Sequence, residues 1–84
     1  MKRLYFRGEH KYRAAELLFS DSPTFRVEDY TPYEVLEIVW QADGRYSVWG
    51  DLPNDADLLR DTCRDPRHLV QMALPFADEA VEEE

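Results

Sequence analysis

The chain has 84 residues, a formal net charge of -8, 44% hydrophobic and 13% aromatic residues, and a single cysteine. That length holds one domain and one core, burying roughly 60–65% of the unfolded surface, with little chain left to wall a deep pocket. The apolar content excludes a wholly disordered chain, no run approaches the roughly 18 to 20 residues of a membrane span, and the lone Cys63 excludes an internal disulfide and fits a reducing cytoplasm.

Residues 2–7, "KRLYFR", are rich in strand formers and stop at Gly8, which predicts a short strand. In "EHKYRAAELLFS" the residues Tyr12, Ala15 and Phe19 recur at helical spacing and Leu18 lies one turn beyond Ala14, so a helix is expected over residues 9–20. The same residues also fit a second strand over 11–20, with "SDSP" as the turn that follows. Beyond that breaker cluster, "TFRVEDY" alternates as a strand would until Pro32 interrupts it.

"YEVLEIVWQ" alternates over nine residues, meets Asp43-Gly44 and returns as "RYSVWG". Asp-Gly favours a two-residue type I′ turn. That turn sets Trp40 opposite Ser47 and Ile38 opposite Trp49, placing Leu36, Ile38, Trp40 and Trp49 on one core face. The other face then carries Val35, Glu37, Val39, Gln41, Tyr46 and Val48.

Asn54 reads as the N-cap of a helix over "DADLLRDTCR", with Leu58, Leu59, Thr62 and Cys63 on one side. Asp65-Pro66 opens a second short helix with Leu69, Val70, Met72 and Ala73 as its apolar stripe. The segment "ADEAVEEE" carries -5 with little to bury. The expected fold class is therefore α+β: a small antiparallel sheet with a central hairpin at residues 33–50, one N-terminal helix and one or two short C-terminal helices. Residues 1–76 form a single compact domain, and residues 77–84 a disordered acidic tail.

The chemistry-bearing residues are sparse. Cys63 and His68 are separated by a proline, His10 is distant, and no CxxC, HExxH or calcium-loop pattern occurs, so no metal and no cofactor is expected. Gly8, Gly44 and Gly50 are too scattered for a phosphate loop, and no nucleophile has a base beside it in sequence, so an enzyme is not expected.

Charge is the stronger signal. Lys2, Arg3, Arg7, Lys11 and Arg13 against Glu9 make residues 1–13 +4, whereas residues 43–84 carry four arginines against eleven acids. Such polarity disfavours direct nucleic-acid and anionic-membrane binding and favours basic partners, the N-terminal cations pairing with the protein's own acids or sitting on the solvated side of the first strand. Asp57, Asp61 and Asp65 fall at i, i+4 and i+8 of the expected helix, and Asp51 and Asp55 flank its start. These five carboxylates are the candidate partner-binding residues: a row able to imitate a phosphate backbone or dock on a lysine/arginine groove, or simply a solvated face beside Arg60 and Arg64.

A compact acidic chain with "YEVLEIVWQADGRYSVWG" as sheet nucleus, "PNDADLLRD" after it and "DEAVEEE" at its end resembles the small anti-CRISPR proteins that phages encode against type I systems, the type I-E group among them. The resemblance implies a stoichiometric, non-enzymatic inhibitor acting in the host cytoplasm. Its partner would be a basic host protein or ribonucleoprotein, a Cas subunit or the assembled Cascade complex. The other expectation from the residues is a small bacterial or prophage adaptor that binds a protein or homodimerises through the hairpin face bearing Val39, Tyr46 and Val48.

Overall fold

A computed structural model of the chain describes residues 1–19, 22–52, 55–64 and 71–83, with Leu52 and residues 55–64 other than Leu59 described by their backbone alone. The fold class is the α+β arrangement expected. Five strands, β1 (Lys2–Arg7), β2 (Val35–Trp40), β3 (Arg45–Leu52), β4 (Asp55–Arg64) and β5 (Glu79–Glu82), form one sheet in the order β4-β3-β2-β1-β5, and each described pairing is antiparallel.

Helix α1 (Glu9–Phe19) confirms the helical reading of residues 9–20 over the strand alternative. It lies against one sheet face with Ala14, Ala15, Leu18 and Phe19 buried among Leu4, Phe6, Leu36, Ile38, Tyr46, Val48 and Ala73. Two adjacent alanines let the helix backbone approach the strands closely, while Phe6 and Phe19 fill the remaining volume. Each fully buried large side chain contributes about 1.5–3 kcal/mol. Lys11 belongs to the same helix stripe and is 8% exposed. Its stem packs inward while the ammonium donates to the Tyr33 carbonyl and stands 4.9 Å from the centroid of the Tyr12 ring.

Four expectations are corrected. "TFRVEDY" contains no strand: Val27–Tyr30 is a 3-10 helix, held by stacking of Tyr30 on Phe19 at 5.7 Å and by Phe25 at 6.0 Å from Tyr30. Aromatic burial at the end of α1 overrides a weak alternation.

The hairpin register is shifted by one. Trp40 pairs with Tyr46, Ile38 with Val48 and Glu37 with Trp49, leaving Ala42, Asp43 and Gly44 as a three-residue loop. The Gly44 amide donates to the Gln41 carbonyl (3.1 Å), Asp43 Oδ1 accepts from the Arg45 amide (3.0 Å), and Gly44 takes φ +87°, a conformation glycine adopts without penalty. Trp49 therefore leaves the core face, and Tyr46 and Val48 join it.

Residues 55–64 are strand β4, not a helix. Register shifts between the Tyr46/Cys63 and Val48/Arg60 pairs, and again between Val48/Arg60 and Trp49/Leu58, give β4 extra residues relative to β3. Extra residues of this kind bend a strand and break its period-two pattern. The second expected helix survives in part: residues 71–73 are helical and run into a 3-10 turn, Leu74–Phe76.

The acidic C-terminal segment is not an unpacked tail over its length. Glu79–Glu82 pair with β1 from Tyr5↔Glu79 to Lys2↔Glu82, so β1 is an interior strand. Asp78 fastens the junction: its Oδ2 accepts from the Arg7 amide at 2.6 Å, its Oδ1 meets His10 Nδ1 at 3.1 Å, and its own amide donates to the Tyr5 carbonyl at 2.8 Å. The Arg7 amide, and after it the His10 imidazole, hold the Asp78 carboxyl below the ordinary carboxylate range.

Candidate functional site

Alternation sends the odd-numbered residues of β1, β2 and β3 to the face opposite α1. Arg3, Tyr5 and Arg7 stand beside Val35, Glu37 and Val39, which stand beside Ser47, Trp49 and Asp51. Val81 and Glu79 of β5 continue the face next to Arg3 and Tyr5. Tyr5, Val35, Glu37, Trp49 and Val81 are half-buried, Glu37 lying between Tyr5 and Trp49, and Val39, in register with Arg3 and Ser47, is buried.

The polar groups on this face are largely engaged. Arg3 Nη1 donates to Glu37 Oε1 at 2.6 Å, Arg3 Nε stands 3.5 Å from Glu83, and Arg7 stands 3.7 Å from Glu79 and 6.0 Å from the Tyr5 ring centroid. Arg3 and Arg7 of the N-terminal strand are thus paired with the protein's own acids, one of the two placements expected for its cations, while Lys2 lies by the Trp40 ring. Trp49 Nε1 donates to Ser47 Oγ at 3.1 Å, which pins the indole along its strand. Between Trp49 and Tyr5 lies a shallow depression of about 200 Å³, walled by Val35, Glu37, Arg7 and Asp51.

The five sequence-predicted carboxylates fall differently from the expected row. Asp51 is exposed, at the rim of the depression. Asp55 and Asp57 lie on β4 opposite Leu52 and Gly50, so backbone register brings Asp51 opposite Ala56, between them. Asp61 falls in the irregular stretch between Arg60 and Cys63, and Asp65 lies outside the described residues. With β4 extended, the i, i+4, i+8 helical stripe does not exist. Of the five, Asp51, Asp55 and Asp57 lie at the same end of the β3–β4 pair, but Asp51 is in register with Ala56 and so takes a different sheet face from the positions of Asp55 and Asp57, while Asp61 is farther along β4.

Cys63 sits opposite Tyr46 on the β4 backbone, and His68 lies outside the described residues. His10 is committed to Asp78. Among the described residues no group of three or more His, Cys, Asp or Glu side chains is arranged to hold a metal ion, and no helix is long and apolar enough to cross a membrane.

Sequence reading missed Trp49 and Tyr5 as surface residues. One signal was available: a three-residue loop gathers Glu37, Ser47 and Asp51 on one face and leaves Leu36, Ile38, Tyr46 and Val48 together on the other, a cleaner separation than the two-residue turn allows. No protein-family model, no curated protein and no solved structure matches the chain.

Proposed function

We propose that this protein is a non-enzymatic inhibitor that docks stoichiometrically on a basic protein surface through the open face of its sheet, Trp49 at the centre and Asp51 at the rim, in the cytoplasm of a phage-infected host. The resemblance of the sequence to type I anti-CRISPR proteins supplies the partner: a Cas subunit or the assembled Cascade complex, type I-E foremost. One observation carries the docking surface. A half-exposed tryptophan and tyrosine flank a depression on a sheet face that no described element covers, in a chain of net charge -8. Aromatic residues framed by charged groups are what protein interfaces concentrate, and nucleic-acid machines expose the basic grooves that an acidic protein approaches fastest.

The adaptor reading shares this face but loses two of its three residues, since Tyr46 and Val48 are buried under α1 and only Val39 faces outward. The experiment is titration of purified type I-E Cascade with the protein, reading complex formation by calorimetry and target-DNA binding by mobility shift. Saturation near one-to-one with loss of DNA binding or of nuclease recruitment is expected, weakened by Trp49→Ser in a variant that stays folded at the assay temperature. Absence of any complex with Cascade at micromolar concentrations removes this target.

A further inference from the structure

The five N-terminal cations share a habit. Lys2 lies 5.7 Å from the Trp40 ring centroid, Arg7 6.0 Å from that of Tyr5, Lys11 4.9 Å from that of Tyr12 and Arg13 4.4 Å from that of Phe76, while Arg3 is bound by Glu37 and Glu83. Each is seated on a ring or a carboxylate. Trp49 and Asp51 are the complementary case: an indole and a carboxylate two residues apart on the same strand face, bordering one depression, with no cation on either among the described residues.

We infer that the depression between Trp49 and Tyr5 is a receptor for one arginine side chain of the partner, its guanidinium stacked on the Trp49 indole and hydrogen-bonded to the Asp51 carboxylate. This rests on the docking reading above and names the chemistry that the docked surface presents. Arginine suits the site better than lysine, because its planar guanidinium stacks on an aromatic face and meets a carboxylate with two parallel donors, while a lysine ammonium offers a compact and more strongly hydrated charge. Val35 and the edge of Tyr5 supply the apolar wall along which the methylene stem lies. Arg7 does not block entry, since Glu79 at 3.7 Å and the Tyr5 ring draw its guanidinium toward β5. The hydrogen bond from Trp49 to Ser47 uses the indole N–H and fixes that edge of a half-buried ring bordering the depression. The ring is therefore placed before the ligand arrives, with the Asp51 carboxylate exposed beside it at the rim.

The test uses the whole protein and a capped tripeptide, acetyl-Gly-Arg-Gly-amide, with its citrulline counterpart as an uncharged isostere. Chemical shifts of the two tryptophan indole N–H groups are followed by NMR, assigned through Trp49→Phe. The arginine peptide is expected to move the Trp49 indole and the Asp51 and Gly50 amides together, with the citrulline peptide leaving them in place. Asp51→Asn should weaken the titration about two- to fivefold, the size of one exposed cation contact, and Trp49→Ser should abolish it. Equal shifts with citrulline, shifts centred away from Trp49, or an Asp51→Asn titration identical to the parent's each overturn the arginine receptor. Cascade binding that is sensitive to Trp49→Ser in the absence of any arginine-peptide response would leave the docking reading standing and remove this one. A specific peptide response with no Cascade binding does the reverse.

Discussion

The ring of Tyr33 occupies the space that a side chain at position 50 would need. A β-carbon built on Gly50 would overlap the ring along its Cδ1–Cε1 edge, and the backbone of Tyr33 is tied down in turn by the Lys11 ammonium on its carbonyl. Gly50 pairs with Leu36 on one side and Asp57 on the other, so the strand itself has no room to retreat. Gly50→Ala should therefore destabilise the protein by about 1–3 kcal/mol through overpacking. Chemical denaturation checks this, with a fall in midpoint at unchanged slope; a variant as stable as the parent would show that the ring swings aside freely.

The two faces of the hairpin predict unequal costs for aromatic loss. Phe6 is fully buried, and Phe6→Ala should cost on the order of 3–5 kcal/mol. Trp49 is the larger side chain but lies on the open face, so Trp49→Ser should cost well under half of that. Thermal melts of the two variants, measured side by side, decide the sheet's inside from its outside.

Deleting residues 79–84 should harm the fold. The deletion strips β1 of its outer partner and takes from Arg3 and Arg7 the carboxylates of Glu83 and Glu79. A drop in melting temperature of at least about 5 °C is expected, with more aggregation from the newly exposed strand edge. Melting within a degree of the parent would mean that β5 contributes nothing to the sheet.

The Asp78 carboxyl has a defined pH signature. A carboxylate held below its ordinary value contributes stability that is complete above the unfolded value, about 3.9, and is lost as pH falls through the lower folded value. Asp78→Asn should melt below the parent at pH 6, and the gap should close as both are taken to pH 2. A gap that stays constant over that range would place the effect in packing and not in charge.

Association with Cascade should weaken steeply as salt rises, because carboxylates at the rim would be meeting arginine and lysine side chains. Affinity that stays flat between 50 and about 300 mM salt, well past the point at which exposed pairs are screened, would point to apolar contacts alone.

The legible parts of the fold were those with local signals. The N-terminal strand ends just before Gly8, the helix carries its stripe from Ala14 to Phe19, and the hairpin turns at a loop that contains Asp43 and Gly44. What escaped was decided by partners distant in sequence. β4 reads as a helix because Leu58 and Leu59 are adjacent and Thr62 and Cys63 follow one turn later. In the sheet that doubling falls at a register shift between the Leu58 and Arg60 pairings, with Leu59 packed against the core. An irregular strand erases the alternation by which a strand is read. The C-terminal acids, likewise, look unfit to pack until Arg3 and Arg7 are known to lie beside them. For the site, Asp51 was legible as exposed carboxylate, whereas Trp49 was hidden by a one-residue difference in loop length that inverts every side chain downstream.

The sheet order also bears on how the chain can be made. β1, made before the other four strands of the sheet, ends up between β2 and β5, and the Met1 ammonium reaches the carbonyl of Glu83 at 2.7 Å. Synthesis runs through all the intervening residues before Glu79–Glu82 exist to close that edge. A nascent chain can assemble α1 on β1, β2 and β3 early, yet it carries an open, arginine-studded strand edge until Glu79–Glu82 have been made. Contacts of such long sequence separation also slow folding. In cells the vulnerable species is therefore the polypeptide that stops short of β5, and chains stalled or clipped before Glu79 should be the ones that chaperones and proteases collect.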